Sequence, residues 1–144
     1  MPAPMTVAER QTFLAGVHVG IVSVDDPGRG PLLVPVWYLY EPGGEIVLVT
    51  KPEARKAPLL AVGARVAFCA QSEEMPPKYV SIQGRVASAR PADIARDLKP
   101  IVRKYLPAEV GDAYVDNTRP HGTDEIVVRI RPERWFSRDF GRPG

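Results

Sequence analysis

Short apolar and β-branched runs, cut apart by proline and glycine, set the strongest limit on what this chain can fold into. They are Val17–Val24, Leu32–Tyr40, Ile46–Thr50, Arg65–Phe68, Tyr79–Val86 and Glu125–Ile130. Each has the length and the residue types of a strand, and most alternate with a period of two. The breaks between them are turn chemistry: Asp25-Asp26-Pro27-Gly28-Arg29-Gly30 after the first run and Pro42-Gly43-Gly44 after the second. Successive strands joined by such turns pair antiparallel. Six of them in 144 residues predict a mainly β domain with short helices, a six-stranded antiparallel barrel that is closed or nearly closed, because closure removes exposed edges. Pro35 interrupts the second run and cannot donate to a ladder, so that strand belongs at an edge or bulges there.

The remaining segments read as helices and loops. Thr6 followed three residues later by Glu9 forms a capping-box pattern, and the helix it opens stops at Gly16. A short helix is expected between Lys51 and Gly63. Another runs from Pro91 through Ile94, Leu98, Ile101, Val102 and Tyr105, kinked at Pro100, and a loop follows from Pro107 to Thr123.

Size and charge narrow the class. The chain fits one domain, residues 1–144. A formal net charge of +2 and 8% aromatic residues argue against a nucleic-acid coat or a stacking groove for single strands. No stretch approaches the ~18 apolar residues of a membrane helix, and Met1–Arg10 has no signal-peptide pattern. The single cysteine, Cys69, excludes a disulfide framework within the chain, and the expected setting is the reducing cytoplasm. His18 and His121 lie far apart without metal-ligand spacing, so no metal site is expected. There is no G-x-S-x-G elbow, no phosphate-binding G-x-x-x-x-G-K-[ST] loop and no G-x-G-x-x-G turn. Chemistry on this chain would therefore depend on a cofactor.

The segment Val49-Thr50-Lys51-Pro52-Glu53-Ala54-Arg55-Lys56-Ala57 is where an anion fits. A strand ends in a hydroxyl residue and a helix begins beside two cations, which offers free backbone N–H groups, a guanidinium fork and an ammonium to a phosphate. An adjacent charged pair on a helix also reads as a solvated face, and the surrounding order of motifs decides between the two.

That order is Pro35-Val36-Trp37-Tyr38, a glycine turn, Ile46–Thr50, then Arg55-Lys56-Ala57 with Leu60, and finally Tyr79-Val80-x-Ile82-x-Gly84-Arg85-Val86. It resembles the pyridoxamine 5'-phosphate oxidase-like, FMN-binding split-barrel family, which includes F420-dependent oxidoreductases. The resemblance implies a cofactor phosphate held by Thr50, Arg55 and Lys56, with Val49 and Lys51 beside them. It places Val34, Pro35, Val36 and Trp37 along the flavin ring, and Tyr79 at the cofactor's edge. It further implies a homodimer with the cofactor, FMN or F420, at the subunit interface. The activity implied is hydride transfer to or from a small molecule, with Tyr38, Tyr79 and His121 as candidate proton donors and no assigned catalytic residue. A longer acidic tail, as in F420, would extend towards Lys51, Lys78 and Arg85. The Arg-x-His substrate pair of true pyridoxamine phosphate oxidases is missing near the C-terminus, where Arg134-Trp135-Phe136-Ser137-Arg138-Asp139 stands, so vitamin B6 oxidation is not implied. The rival reading is a non-enzymatic FMN- or haem-binding storage or sensor module.

Overall fold

A computed structural model describes residues 2–118 and 125–143. The elements are β1 (Pro2–Ala3), α1 (Val7–Ala15), β2 (Gly20–Val24), β3 (Leu32–Val36), β4 (Leu39–Tyr40), β5 (Ile46–Thr50), α2 (Lys56–Leu59), β6 (Arg65–Gln71) and β7 (Lys78–Pro91). A π-helical turn (Ile94–Leu98), α3 (Lys99–Tyr105), α4 (Ala108–Thr118) and β8 (Ile126–Pro143) complete the chain. The six sequence runs all become strands, but the count rises to eight. Leu32–Tyr40 divides into β3 and β4, and β1 pairs beside β8.

All pairings are antiparallel, and seven strands follow one hydrogen-bonded path, β3-β2-β6-β7-β8-β5-β4. The path is open, so where a closed or nearly closed barrel of six strands is expected, the structure shows an antiparallel sheet of seven paired strands with two ends. Only Trp37 and Tyr38 separate those ends in sequence, since β3 stands at one and β4 at the other. Pro35 accordingly lies on an end strand, opposite Ile21, where its missing N–H costs no ladder bond.

Alternation packs one face of this sheet. Val22, Val24, Ile46, Leu48, Val66, Phe68, Val80, Ile82, Val86, Val128 and Ile130 form the core with Leu14, Tyr38, Tyr40 and Leu60. The Tyr38 hydroxyl donates to the Leu14 carbonyl at 2.6 Å and so fixes α1 over the core. The capping box at Thr6 forms as its residues predict. Glu9 N–H donates to the Thr6 hydroxyl at 3.2 Å, and Thr6 N–H donates to the Glu9 carboxylate at 3.0 Å. At Gly20 the backbone runs so close to the Phe68 ring that a Cβ would lie 2.1 Å from Cζ. Only glycine lets the ring fill that space.

Two helical expectations change. The segment before Pro100 winds as a π turn and passes into α3 with Pro100 in its first turn, where proline needs no hydrogen-bond partner. The expected bend is thus taken up by a change of helix type. The expected loop after Pro107 is instead the eleven-residue α4 over Ala108–Thr118. Gly111 allows its close approach to α3, since a Cβ there would stand 3.1 Å from a Val102 methyl. Leu98, Val102 and Val115 then make a second, smaller core under these helices, with Val49 packed against it.

Candidate functional site

Strand alternation gives β5 two chemically different faces. Ile46, Leu48 and Thr50 point into the main core, whereas Val49 points towards the helices. Between Val49 and those helices lies a cleft of about 460 Å³. Pro35, Val36 and Trp37 form its strand wall, and Leu98, Ile101 and Tyr114 form its helical wall. Among the described residues, Lys56 is the one charged side chain that lines it. The volume lies within the range of small-molecule sites, and the chemistry is an apolar slot with a single cation.

The slot is stiffened by aromatic packing. Trp37 stacks on Tyr105 with ring centres 4.9 Å apart and planes 9° from parallel, and Tyr114 stands tilted at 6.4 Å. Tyr105 is itself pinned, because its hydroxyl donates to the His18 carbonyl at 2.6 Å and accepts from Tyr38 N–H at 3.2 Å. Lys104 closes the same knot. Its ammonium donates to the Tyr38 carbonyl at 3.0 Å and lies 4.1 Å from the centre of the Tyr38 ring. Burial lowers the Lys104 ammonium to about 8. Burial also lowers Lys56 from the ordinary lysine value, with the nearby Glu125 carboxylate acting in the opposite sense.

The residues read from the sequence as a phosphate seat have different surroundings. Arg55 turns away from the cleft and makes a two-pronged ion pair with Asp26, Nε to Oδ2 at 2.8 Å and Nη2 to Oδ1 at 2.9 Å. Asp26 is buried there, so the guanidinium is committed to holding the β2–β3 turn. Thr50 is only 3% exposed on the core side, and its hydroxyl donates to the Lys51 carbonyl at a long 3.4 Å. Lys51 is exposed and does not line the cleft. Helix α2 is a single turn of four residues, too short to present a helix dipole to an anion. Of the residues expected around the phosphate, Lys56 and Val49 line the cleft, and Pro35, Val36 and Trp37 line it from the expected ring wall.

Val34 packs inward against the main core. Tyr79 is half-buried on β7 between Gln71 and Arg138, outside the cleft. Of the proposed proton donors, Tyr38 is buried and its hydroxyl is raised well above the usual tyrosine range by desolvation, so it serves packing. His121 lies outside the described residues. Trp135 packs edge-on to Tyr40 at 6.0 Å under the Arg10 guanidinium. The residues that sequence reasoning missed are Val19, Leu98, Ile101, Val102 and Tyr114. Leu98, Ile101 and Val102 were visible as an apolar helical stripe, but that pattern marks core and cleft wall alike. Tyr114 carried no signal once its segment was read as a loop.

A wider groove of about 910 Å³ continues from the cleft and shares Val19 and Pro35 with it. Phe13, His18, Ile21, Cys69 and Lys78 line it, with Glu73 and Glu74 at the β6–β7 loop. Among the described residues no group of three or more His, Cys, Asp or Glu side chains is placed to hold a metal ion. No helix among them is long and apolar enough to cross a membrane.

No protein-family model matches the chain, and no curated protein matches it in sequence. Solved structures do match. An F420 reductase superposes with a TM-score of 0.67 at 16% identity, covering 87% of this chain and 94% of its own. A conserved hypothetical protein from Mycobacterium tuberculosis gives 0.70 at 25% identity, covering 97% and 90%. A FAD-binding protein from Mesorhizobium loti gives 0.67 at 19% identity, covering 96% and 97%. Others are provisionally assigned as pyridoxamine 5'-phosphate oxidases. These neighbours match the group that the sequence resembles, and the chain shares their fold.

Proposed function

We propose that the chain is a flavin- or deazaflavin-dependent oxidoreductase, using FMN or F420 to move hydride equivalents to or from a small molecule. The observation that carries this reading is the cleft itself, where an apolar wall of Pro35, Val36, Trp37 and Val49 meets the cation of Lys56. A planar ring with a charged tail needs that combination of an apolar slot and a phosphate partner. The naming of solved neighbours as an F420 reductase and FAD-binding proteins supports the same cofactor class.

The cofactor supplies hydride chemistry at its ring. The chain's own residues would bind and orient it: Trp37, held by Tyr105, would give the ring a rigid apolar wall, Lys56 would neutralise a phosphate, and the helical wall of Leu98 and Ile101 would exclude water. The split-barrel reading extends to a homodimer with the cofactor at the interface. Val17 and Leu33 are 64% and 65% exposed on or beside the sheet's outer face, and a second copy of the chain would cover them.

A specific observation also favours storage or sensing. Among the described residues, no titratable side chain besides Lys56 and Tyr114 lines the cleft, so these residues bring little acid–base equipment to it. Absorption-monitored titration with FMN and with F420, followed by turnover with a panel of electron acceptors, separates the readings. Saturable binding with turnover supports the oxidoreductase. Binding without turnover on any acceptor supports the storage or sensor role, and failure to bind either cofactor removes both.

A further inference from the structure

On the outer face of the sheet, far along β7 from Tyr79, the pairing register sets like charges against one another. Arg65 of β6 stands directly opposite Arg85 of β7, and Arg85 stands opposite Arg131 of β8. Like charges in directly opposed positions destabilise a sheet unless something negative joins them. Glu133 meets Arg85 at 3.6 Å, with both side chains about half-exposed. Arg65 and Arg134 make no ion pair or side-chain hydrogen bond that the described residues provide.

Arg65, Arg85 and Arg134, but not Arg131, line a cavity of about 590 Å³ together with Gln83 and Ser23. The cavity owes its shape to a bulge. Gln83 pairs with Arg134 and Gly84 with Pro132, which leaves Glu133 as an extra residue and redirects the strand beside it. Gly84 is required at that point, because a Cβ would fall 2.2 Å from the Arg131 carbonyl oxygen. With Asp25 and Glu133 also on the wall, the lining carries three cations and two anions, an excess of one positive charge. That balance is too even for a nucleic-acid backbone and suits a small, multi-oxygen anion. The cavity shares no lining residue with the Trp37–Lys56 cleft.

We propose that this cavity is a second ligand site, taking a small molecule whose phosphate or carboxylate oxygens bridge Arg65 and Arg134, with Gln83 as a further donor. The guanidinium forks match either oxyanion, and the anion relieves the arginine alignment across β6 and β7.

Nuclear magnetic resonance titration of the whole chain tests it, with inorganic pyrophosphate and citrate as probes at equal ionic strength. The arginine Nε–H signals of Arg65 and Arg134 and the Gln83 side-chain amide are expected to shift and saturate with at least one probe. The tighter probe identifies the oxyanion class. In the paired variant Arg65→Ala with Arg134→Ala, checked for folding by its thermal melt, affinity is expected to fall at least 10-fold. Lys56→Ala is expected to leave it unchanged, so failure here is distinct from failure of the flavin reading. Shifts that do not saturate with either probe, that survive the paired variant, or that disappear with Lys56→Ala overturn the proposal.

Discussion

Arg55 and Lys56 are neighbours in sequence with opposite duties, and the difference is testable one residue at a time. Arg55 neutralises the buried Asp26 carboxylate, so Arg55→Ala is expected to lower stability by about 1–3 kcal/mol in urea denaturation. Its effect on FMN affinity should stay within about 3-fold. Lys56→Ala should do the reverse, weakening FMN binding about 10-fold and riboflavin binding hardly at all, because riboflavin lacks the phosphate. Equal losses for both ligands would place the phosphate elsewhere. Lys104 offers a pH test. Its ammonium keeps its proton near the ordinary 10.5 when unfolded but is lowered to about 8 when folded. Between those values the unfolded chain binds more protons, so this residue's contribution to stability rises with pH. The stability of the native chain relative to Lys104→Met is therefore expected to grow between pH 8 and 10. Cys69, whose thiol is pushed up by burial, titrates in both proteins and cancels in the comparison. A difference independent of pH would mean that Lys104 stays protonated in its tyrosine knot.

At the scale of elements, strands were legible and most of their ends were not. Ile46–Thr50 was read to the residue because a polar turn precedes it and Lys51-Pro52 follows. β7 and β8 run much further than their apolar runs, to Pro91 and Pro143, because two long strands support each other through polar residues that carry no hydrophobic pattern. α4 was missed for a related reason. Gly111 and the polar residues around it read as loop, and only contact with Val102 shows why glycine belongs in a helix there. The site followed the same logic. Pro35, Val36, Trp37, Val49 and Lys56 could be named from the order of motifs, whereas the partner of Arg55 lies 29 residues away and no local pattern announces it. Gly20 supplies the packing test at this scale. Gly20→Ala forces a methyl into the Phe68 ring and is expected to cost about 1–3 kcal/mol, measured by urea denaturation. A neutral result would show that Phe68 has room to move.

Over the whole molecule, the sheet keeps its apolar core on one side and leaves the other side divided. One end of the outer face carries the apolar groove around Pro35, Ile21 and Cys69, and the other carries the arginine cavity. The helices after β7 sit over Val49 and Trp37 and turn an end of the sheet into a cleft. Seven strands on an open path, with only Trp37 and Tyr38 between its two ends, put Trp37 of the cleft at the seam of the fold. A bound flavin at that seam is the central claim, and a crystal structure of the chain grown with FMN or F420 tests it most directly. The expected result is ring density against Pro35, Val36 and Trp37 with the phosphate at Lys56. Density for the ring anywhere outside that cleft, with Lys56 making no contact to the phosphate, would contradict the account.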